Sequence, residues 1–241
     1  MTGVHGTEGE GVLLLWDIDG TLVTRAATAH GIALEKATSK AIGRPVKGVQ
    51  EIDPGGRTDR EIVRVLAEHA GVTPADFAPL TDAVIAHATE IYELEAEPDL
   101  THCVLPGVPE VLTELAARDD MVMGLVTGNI RRVAELKLGA AGIAHHLDFD
   151  CGGYGSDHED RSLLPGIARE RTASQLSLAD QWPSERTIVI GDTTRDIACA
   201  RADGCLVIAV ATGPHTLDQL SGADSLAESA AQIPQAIADL I

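Results

Sequence analysis

Val12-Leu13-Leu14-Leu15-Trp16-Asp17-Ile18-Asp19-Gly20-Thr21 decides the fold. Its apolar opening reads as a short strand buried on both faces. The run then delivers two carboxylates, one residue apart, and a glycine. That sequence of events resembles the carboxyl end of a strand in a parallel sheet, where open α/β folds place their ligands. In an extended segment Asp17 and Asp19 point to the same side, because side chains alternate with period two. Two like charges so close resist joint ionisation unless a cation or a shared proton relieves them. A divalent metal such as Mg²⁺ supplies that relief and leaves one Asp free as a nucleophile. The bland alternative is a strand end capped by a polar Asp-Gly turn, which accounts for one aspartate better than for two.

Working outward, Met121-Val122-Met123-Gly124-Leu125-Val126-Thr127 is a second buried strand, ending in Thr127-Gly128-Asn129. Thr187-Ile188-Val189-Ile190 delivers Gly191-Asp192-Thr193-Thr194-Arg195-Asp196, and 205–210 is the last apolar run. A shorter strand is expected over 146–150, a polar Gly-rich loop over 151–161 and a helix over 163–178. Strands alternating with helices predict a doubly wound parallel α/β sheet. The spacing is uneven: Asp17 and Thr127 lie about 110 residues apart, whereas a β-α-β unit needs only about 30. The surplus reads as helices. Ala26 to Ile42 stops at Gly43-Arg44-Pro45; Thr58 or Asp59 caps a helix running to about Ala70; Pro74 opens a stretch that continues through Leu94. The expected organisation is a core domain over 1–25 and 101–241, with a helical cap domain over 26–100 acting as a lid above the strand ends.

Composition narrows the function. The 241 residues are 44% hydrophobic, with only two Trp, two Tyr and two Phe, so Leu, Ile, Val and Ala must build the core. Lys and Arg number 18 against 37 Asp and Glu, a net charge of −19. That balance argues against nucleic acid or an anionic membrane as partner but is compatible with a small phosphorylated metabolite. Cys103, Cys151, Cys199 and Cys205 form no C-x-x-C pair, so free thiols in a reducing compartment are expected. Residues 1–11 lack the basic and apolar regions of a signal peptide, and no run approaches the length of a membrane span. A cytoplasmic protein, monomer or homodimer, is the expectation.

Three strand ends therefore present polar groups toward one place: Asp17 and Asp19, then Thr127 and Asn129, then Asp192 and Asp196. A phosphoryl group and a hard metal suit that set. Thr127 and the N–H groups at the following helix start can hold phosphate oxygens. Asp192 can join Asp17 on Mg²⁺, and Asp196 either ligates through water or orients a ligand.

These residues carry a resemblance. Asp17-Ile18-Asp19-Gly20-Thr21, Thr127-Gly128-Asn129 and Gly191-Asp192-Thr193-Thr194-Arg195-Asp196 are similar to motifs one, two and four of the haloacid dehalogenase-like (HAD) superfamily, a Rossmann-like core. The chain most resembles its phosphoglycolate-phosphatase-like branch. The resemblance implies that Asp17 becomes an aspartyl-phosphate and that Asp19 acts as acid and then base. It implies that Thr127, Gly20, Gly128 and Asn129 bind or orient the phosphoryl group. It further implies that Asp17, Asp192 and the Asp19 carbonyl hold Mg²⁺, with Asp196 in support. A second Asp at position 19 marks a phosphatase rather than a true dehalogenase.

One departure stands out. Motif three in most relatives supplies a Lys, but Lys36, Lys40, Lys47 and Lys137 all lie outside 151–191. Arg161 is the natural substitute, with Arg169 as the fallback, although a guanidinium needs different geometry from an ammonium. Arg57 in Gly56-Arg57-Thr58-Asp59 either meets the non-reacting part of the substrate or belongs to a capping turn. The alternatives to a phosphatase are a phosphomutase of the same fold and a non-catalytic phosphate-binding or regulatory protein.

Overall fold

In a computed structural model, which describes residues 11–241, the apolar run forms strand β1 (Val12–Trp16), buried along its whole length. The signal-peptide reading of Met1–Gly11 therefore lies, apart from Gly11, outside the described residues. Helices α1 (Thr28–Ile42), α2 (Asp59–His69), α3 (Pro74–Phe77) and α4 (Thr81–Glu95) follow. Then come α5 (Val108–Ala116), β2 (Met121–Thr127), α6 (Arg131–Ala140), β3 (Gly152–Tyr154) and α7 (Leu164–Gln175). The chain ends with β4 (Thr187–Gly191), α8 (Thr194–Asp203), β5 (Leu206–Val210), β6 (Ser225–Ala227) and α9 (Ile233–Ala238).

Among the described residues the strands form one six-stranded sheet in the order β3-β2-β1-β4-β5-β6, every pairing parallel. The chain winds one way from β1 to β3 and the other way from β4 to β6. The strand order thus reverses beside β1, and an open α/β sheet has its ligand crevice at that reversal. Strand β1 alternates between two apolar layers. Val12, Leu14 and Trp16 pack with residues of α5, α6 and α9. Leu13 and Leu15 pack with residues of α7 and α8. Burial on both faces is why the run lacks polar alternation.

A third apolar cluster joins α1, α2, α3 and α4 through Leu34, Leu66, Phe77, Val84 and Tyr92, and it extends onto Ile130 and onto Val133 of α6. Helix α2 shows how the sequence starts such an element. Thr58 Oγ1 accepts from the Glu61 N–H at 3.1 Å, and Ile62, Val63, Leu66 and Ala67 form the buried stripe.

Two strands were placed differently by the sequence reading. The stretch 146–150 is not a strand; short 3₁₀ turns cover 144–146 and 149–151. Asp148 accepts from the Asp150 N–H at 2.9 Å, and that local bond turns the chain where a strand was expected. The strand is instead Gly152–Tyr154, within the expected loop. Its glycines are a packing need: a Cβ on Gly153 would stand 2.1 Å from the Leu164 carbonyl oxygen at the start of α7. Strand β6 is an addition, only three residues long.

Candidate active site

The chain leaves β1 with Asp17 still in the ladder, its N–H donating to Ile190 O at 2.9 Å. It then turns back, with the N–H groups of Leu22 and Val23 both bonded to Ile18 O. Asp19 follows in an isolated bridge to Val23. Both carboxylates line one cavity of about 160 Å³, yet they pair with different cations.

On one side Asp17 meets Arg161, Asp192 and Asp196. Arg161 Nη2 donates to Asp17 Oδ1 at 3.0 Å and to Asp196 Oδ1 at 2.5 Å. Arg161 is buried, and its Nε has no partner among the described residues. Its Nη1 lies beside the Gly128 turn, 3.3 Å from where a Cβ on Gly128 would be. Asp196 Oδ2 accepts from Thr193 N at 2.9 Å and from Thr193 Oγ1 at 2.7 Å, the capping box that starts α8. Asp192 Oδ1 accepts from Thr21 Oγ1 at 3.1 Å. Gly20, at φ +95°, allows that approach, since a Cβ there would stand 2.3 Å from Asp192 Oδ2.

Three buried carboxylates lie together, two of them on the Arg161 guanidinium, and the proton affinities of Asp17 and Asp192 show the crowding. Burial, then the Asp196 charge, pushes Asp17 up to about 7 despite Arg161. Burial, then Asp17 and Asp196, pushes Asp192 up to about 8. Asp17, Asp192 and Asp196 each offer an oxygen within 4.8 Å of the others. This donor set fits a hard divalent cation, which binds carboxylate oxygens and would remove the charge crowding.

On the other side, Lys137 Nζ lies 2.9 Å from Asp19 Oδ1, 2.7 Å from Oδ2 and 2.7 Å from Asn129 Oδ1. Asn129 Nδ2 donates to Asp19 Oδ2 at 2.8 Å and to Thr127 Oγ1 at 2.9 Å. Burial works against an ionised Asp19, but the Lys137 charge and its hydrogen bonds, helped by Asn129, prevail and lower its pKa. Of the four aspartates expected at a metal, Asp19 alone has its carboxylate turned elsewhere, leaving its backbone carbonyl as the group the resemblance assigned.

Residues of the 53–64 stretch close over this site. The Asp59 N–H donates to Gly128 O at 2.8 Å, and Asp59 Oδ2 accepts from Ile130 N at 2.6 Å. The same oxygen is 2.9 Å from His30 Nε2 on α1. Gly128 is again a matter of room, since a Cβ would come within 1.8 Å of Arg57 O. Arg57 lines the cavity. Its Nε donates to Ile52 O and Asp53 O at 3.2 and 3.1 Å, and it pairs with Glu61. Arg169 is elsewhere, bound to Asp203 at 2.7 Å.

The sequence reading singled out neither Lys137 nor His30 for the site, and it left Asp59 either in the loop that chooses the substrate or as a helix cap. A signal for Lys137 existed: it falls on the buried stripe of α6 with Val133, Ala134 and Leu138, where a charge needs a reason.

The family described as haloacid dehalogenase-like hydrolase matches residues 14–210. The chain belongs to that family. It is 25% identical over 230 residues to a phosphoglycolate phosphatase of Synechococcus elongatus, covering 95% of this chain and 98% of that protein. It is 26% identical to a probable phosphatase, IndB, of Dickeya dadantii, covering 88% and 86%. A predicted phosphatase from Clostridium acetobutylicum superposes with a TM-score of 0.65 at 15% identity, over 95% of this chain and 99% of that one. A β-phosphoglucomutase from Clostridium difficile gives 0.64 at 15% identity, over 95% and 96%. At such identity the structural likeness shows the fold alone. Family and curated relatives together make this HAD-like protein a hydrolase of the phosphomonoesterase kind. Among its described residues no helix is long and apolar enough to cross a membrane.

Proposed function

We propose that this hydrolase cleaves a small phosphate monoester, phosphoglycolate-like or a sugar phosphate, with Mg²⁺ and through an aspartyl-phosphate on Asp17. The observation that carries the reading is that Asp17 and Asp19 line one small cavity while bound to separate cations. An Asp nucleophile and an Asp acid–base group need separate partners. At rest Lys137 favours the ionised form of Asp19 while burial favours the protonated form of Asp17, so the attack requires Asp17 to have lost its proton and Asp19 to have taken one up. Asp17 attacks phosphorus in line as the ester P–O bond breaks, and Asp19 gives its proton to the leaving oxygen. Water then attacks phosphorus, Asp19 takes a proton from it, and the P–O bond to Asp17 breaks to free inorganic phosphate. The Thr127 hydroxyl, the N–H groups around Gly128 and Arg161 hold phosphoryl oxygens; Gly20 keeps the backbone close. Asp17, Asp192 and the Asp19 carbonyl would hold Mg²⁺, with Asp196 steering Arg161. The ion supplies neutralisation of the carboxylates and of charge on the phosphoryl oxygens.

Residues 26–100 act as the cap in this reading, and Arg57 and His30 border the part of the cavity that a substrate's non-reacting end would fill. The cavity is well below the roughly 300–1,000 Å³ of sites for drug-sized ligands, which favours an ester of few carbons. Four free, buried cysteines fit a reducing, cytoplasmic setting.

The test is phosphate release from a panel of phosphoglycolate, sugar phosphates, nucleoside monophosphates and a chromogenic ester, with and without Mg²⁺. Metal-dependent release is expected, with Asp17→Asn lowering it by about 10⁴-fold or more. No release from any ester by folded, metal-supplied protein would refute the reading. Phosphoryl retained on a sugar would favour a mutase instead.

A further inference from the structure

Lys137 has no exposed surface. A buried ammonium is tolerated when its three donors are used, and here they reach Asp19 Oδ1, Asp19 Oδ2 and Asn129 Oδ1 at 2.9, 2.7 and 2.7 Å. The third bond fixes which way the Asn129 amide faces. With Oδ1 on the ammonium, Nδ2 must face Asp19 Oδ2 and Thr127 Oγ1, as found at 2.8 and 2.9 Å. Thr127 Oγ1 thereby accepts from Asn129, which leaves its own hydrogen to donate elsewhere. One side chain sets the direction of a carboxylate, an amide and a hydroxyl. The fold by itself needs no charge at this place: a methionine would fill similar space on the stripe of Val133, Ala134 and Leu138 without the desolvation of an ion.

We propose that Lys137 is the positioning residue for leaving-group protonation, aiming the Asp19 carboxyl at the ester oxygen and locking Asn129 and Thr127 around it. The proposal rests on the phosphatase reading above. The proton passes from Asp19 to the ester oxygen as the P–O bond breaks and returns to Asp19 from the attacking water. Lys137 stays an ammonium throughout. When Asp19 carries the proton, one carboxyl oxygen still accepts from Lys137 while the other donates to the ester. Arg161 cannot substitute, because it serves Asp17 and Asp196.

The dependence on leaving group tests this. An alkyl phosphate needs its departing oxygen protonated; p-nitrophenyl phosphate releases a stable anion and needs little help. The quantity to measure is kcat/KM for both esters in wild type, Lys137→Met and Lys137→Arg. It reports events up to ester cleavage, and the alkyl-to-aryl ratio is independent of how much of a preparation is folded. Lys137→Met is expected to lower the alkyl value by about 100-fold or more and the aryl value by less than about fivefold. Lys137→Arg, which keeps charge and several donors, is expected to recover about tenfold of the alkyl loss. Lys137→Gln is read the same way if the methionine variant does not fold. Equal losses for both esters in the neutral variants would make Lys137 merely structural and overturn the proposal. Wild type inactive on both esters would remove the phosphatase reading itself, and the proposal with it.

Discussion

Asp17 and Asp19 stand two residues apart and line one cavity, yet their surroundings drive them in opposite directions. Around Asp17 three carboxylates crowd together, and one guanidinium pairs with two of them. Around Asp19 one carboxylate faces one ammonium, and an amide completes the set. The first group is short of positive charge, so Asp17 and Asp192 hold protons near neutral pH. The second is balanced, and its carboxyl is lowered. Charge deficit makes a place for a cation; charge balance makes a carboxylate of defined direction. The same residue type thus serves two purposes, and the neighbours assign them.

The hardest way to break the contrast is to remove the one cation on the deficient side. Arg161→Ala leaves Asp17 and Asp196 together and buried. We expect a loss of about 3 kcal/mol in urea unfolding without metal and a fall in kcat/KM of about 10²-fold or more. Arg161→Lys keeps the charge but not the fork, so it should fall between. Unchanged stability in Arg161→Ala would mean that the carboxylates are not crowded.

Titration sharpens the comparison by a smaller amount. Unfolded aspartates ionise near 3.8, whereas folded Asp17 and Asp192 do so near 7 and 8. Between those values the folded metal-free protein holds protons that the unfolded chain has released. Unfolding then releases protons, so this contribution is full below the unfolded value and is lost as pH rises through about 7–8. The melting temperature without metal should drop by several degrees from pH 5 to pH 8. Mg²⁺, which requires the ionised forms, should stabilise more at pH 8 than at pH 6. A metal effect that does not depend on pH would contradict the crowding.

The mildest effect is expected where the helical layer meets the site. Asp59→Ala removes the acceptor for Ile130 N–H and the partner of His30. A loss of about 1–2 kcal/mol is expected, with KM rising several-fold more than kcat falls. A change in kcat alone would place the role of Asp59 in the chemistry rather than in closure.

Legibility followed burial. Strands β1, β2, β4 and β5 are apolar runs with helices over both faces, so composition alone marks them. Strand β3 escaped because close packing against α7 demanded Gly153 and the Tyr154 ring demanded Gly152, residues that otherwise announce a loop. In the site, the aspartates at 17, 19, 192 and 196 and the pair Thr127 and Asn129 follow directly on strand ends, where sequence order and position coincide. Arg161 was reached by asking which cation could stand in for an absent lysine. Lys137 was passed over, since its partner Asp19 is 118 residues away and helix periodicity says nothing about what a buried charge touches.

Sequence by itself determined the parallel α/β plan, the long helical insertion after β1 and the identity of the carboxylates at the strand ends. Those properties come from local periodicity and from where apolar runs stop. Tertiary structure alone decided that Asp17 and Asp19 part company, that Asp196 is spent on a helix start and on Arg161, and that Lys137 turns inward to Asp19. Each of these depends on distances between segments far apart in the chain. Electrostatic energy falls with distance in space and is indifferent to separation in sequence, so only the folded arrangement fixes it.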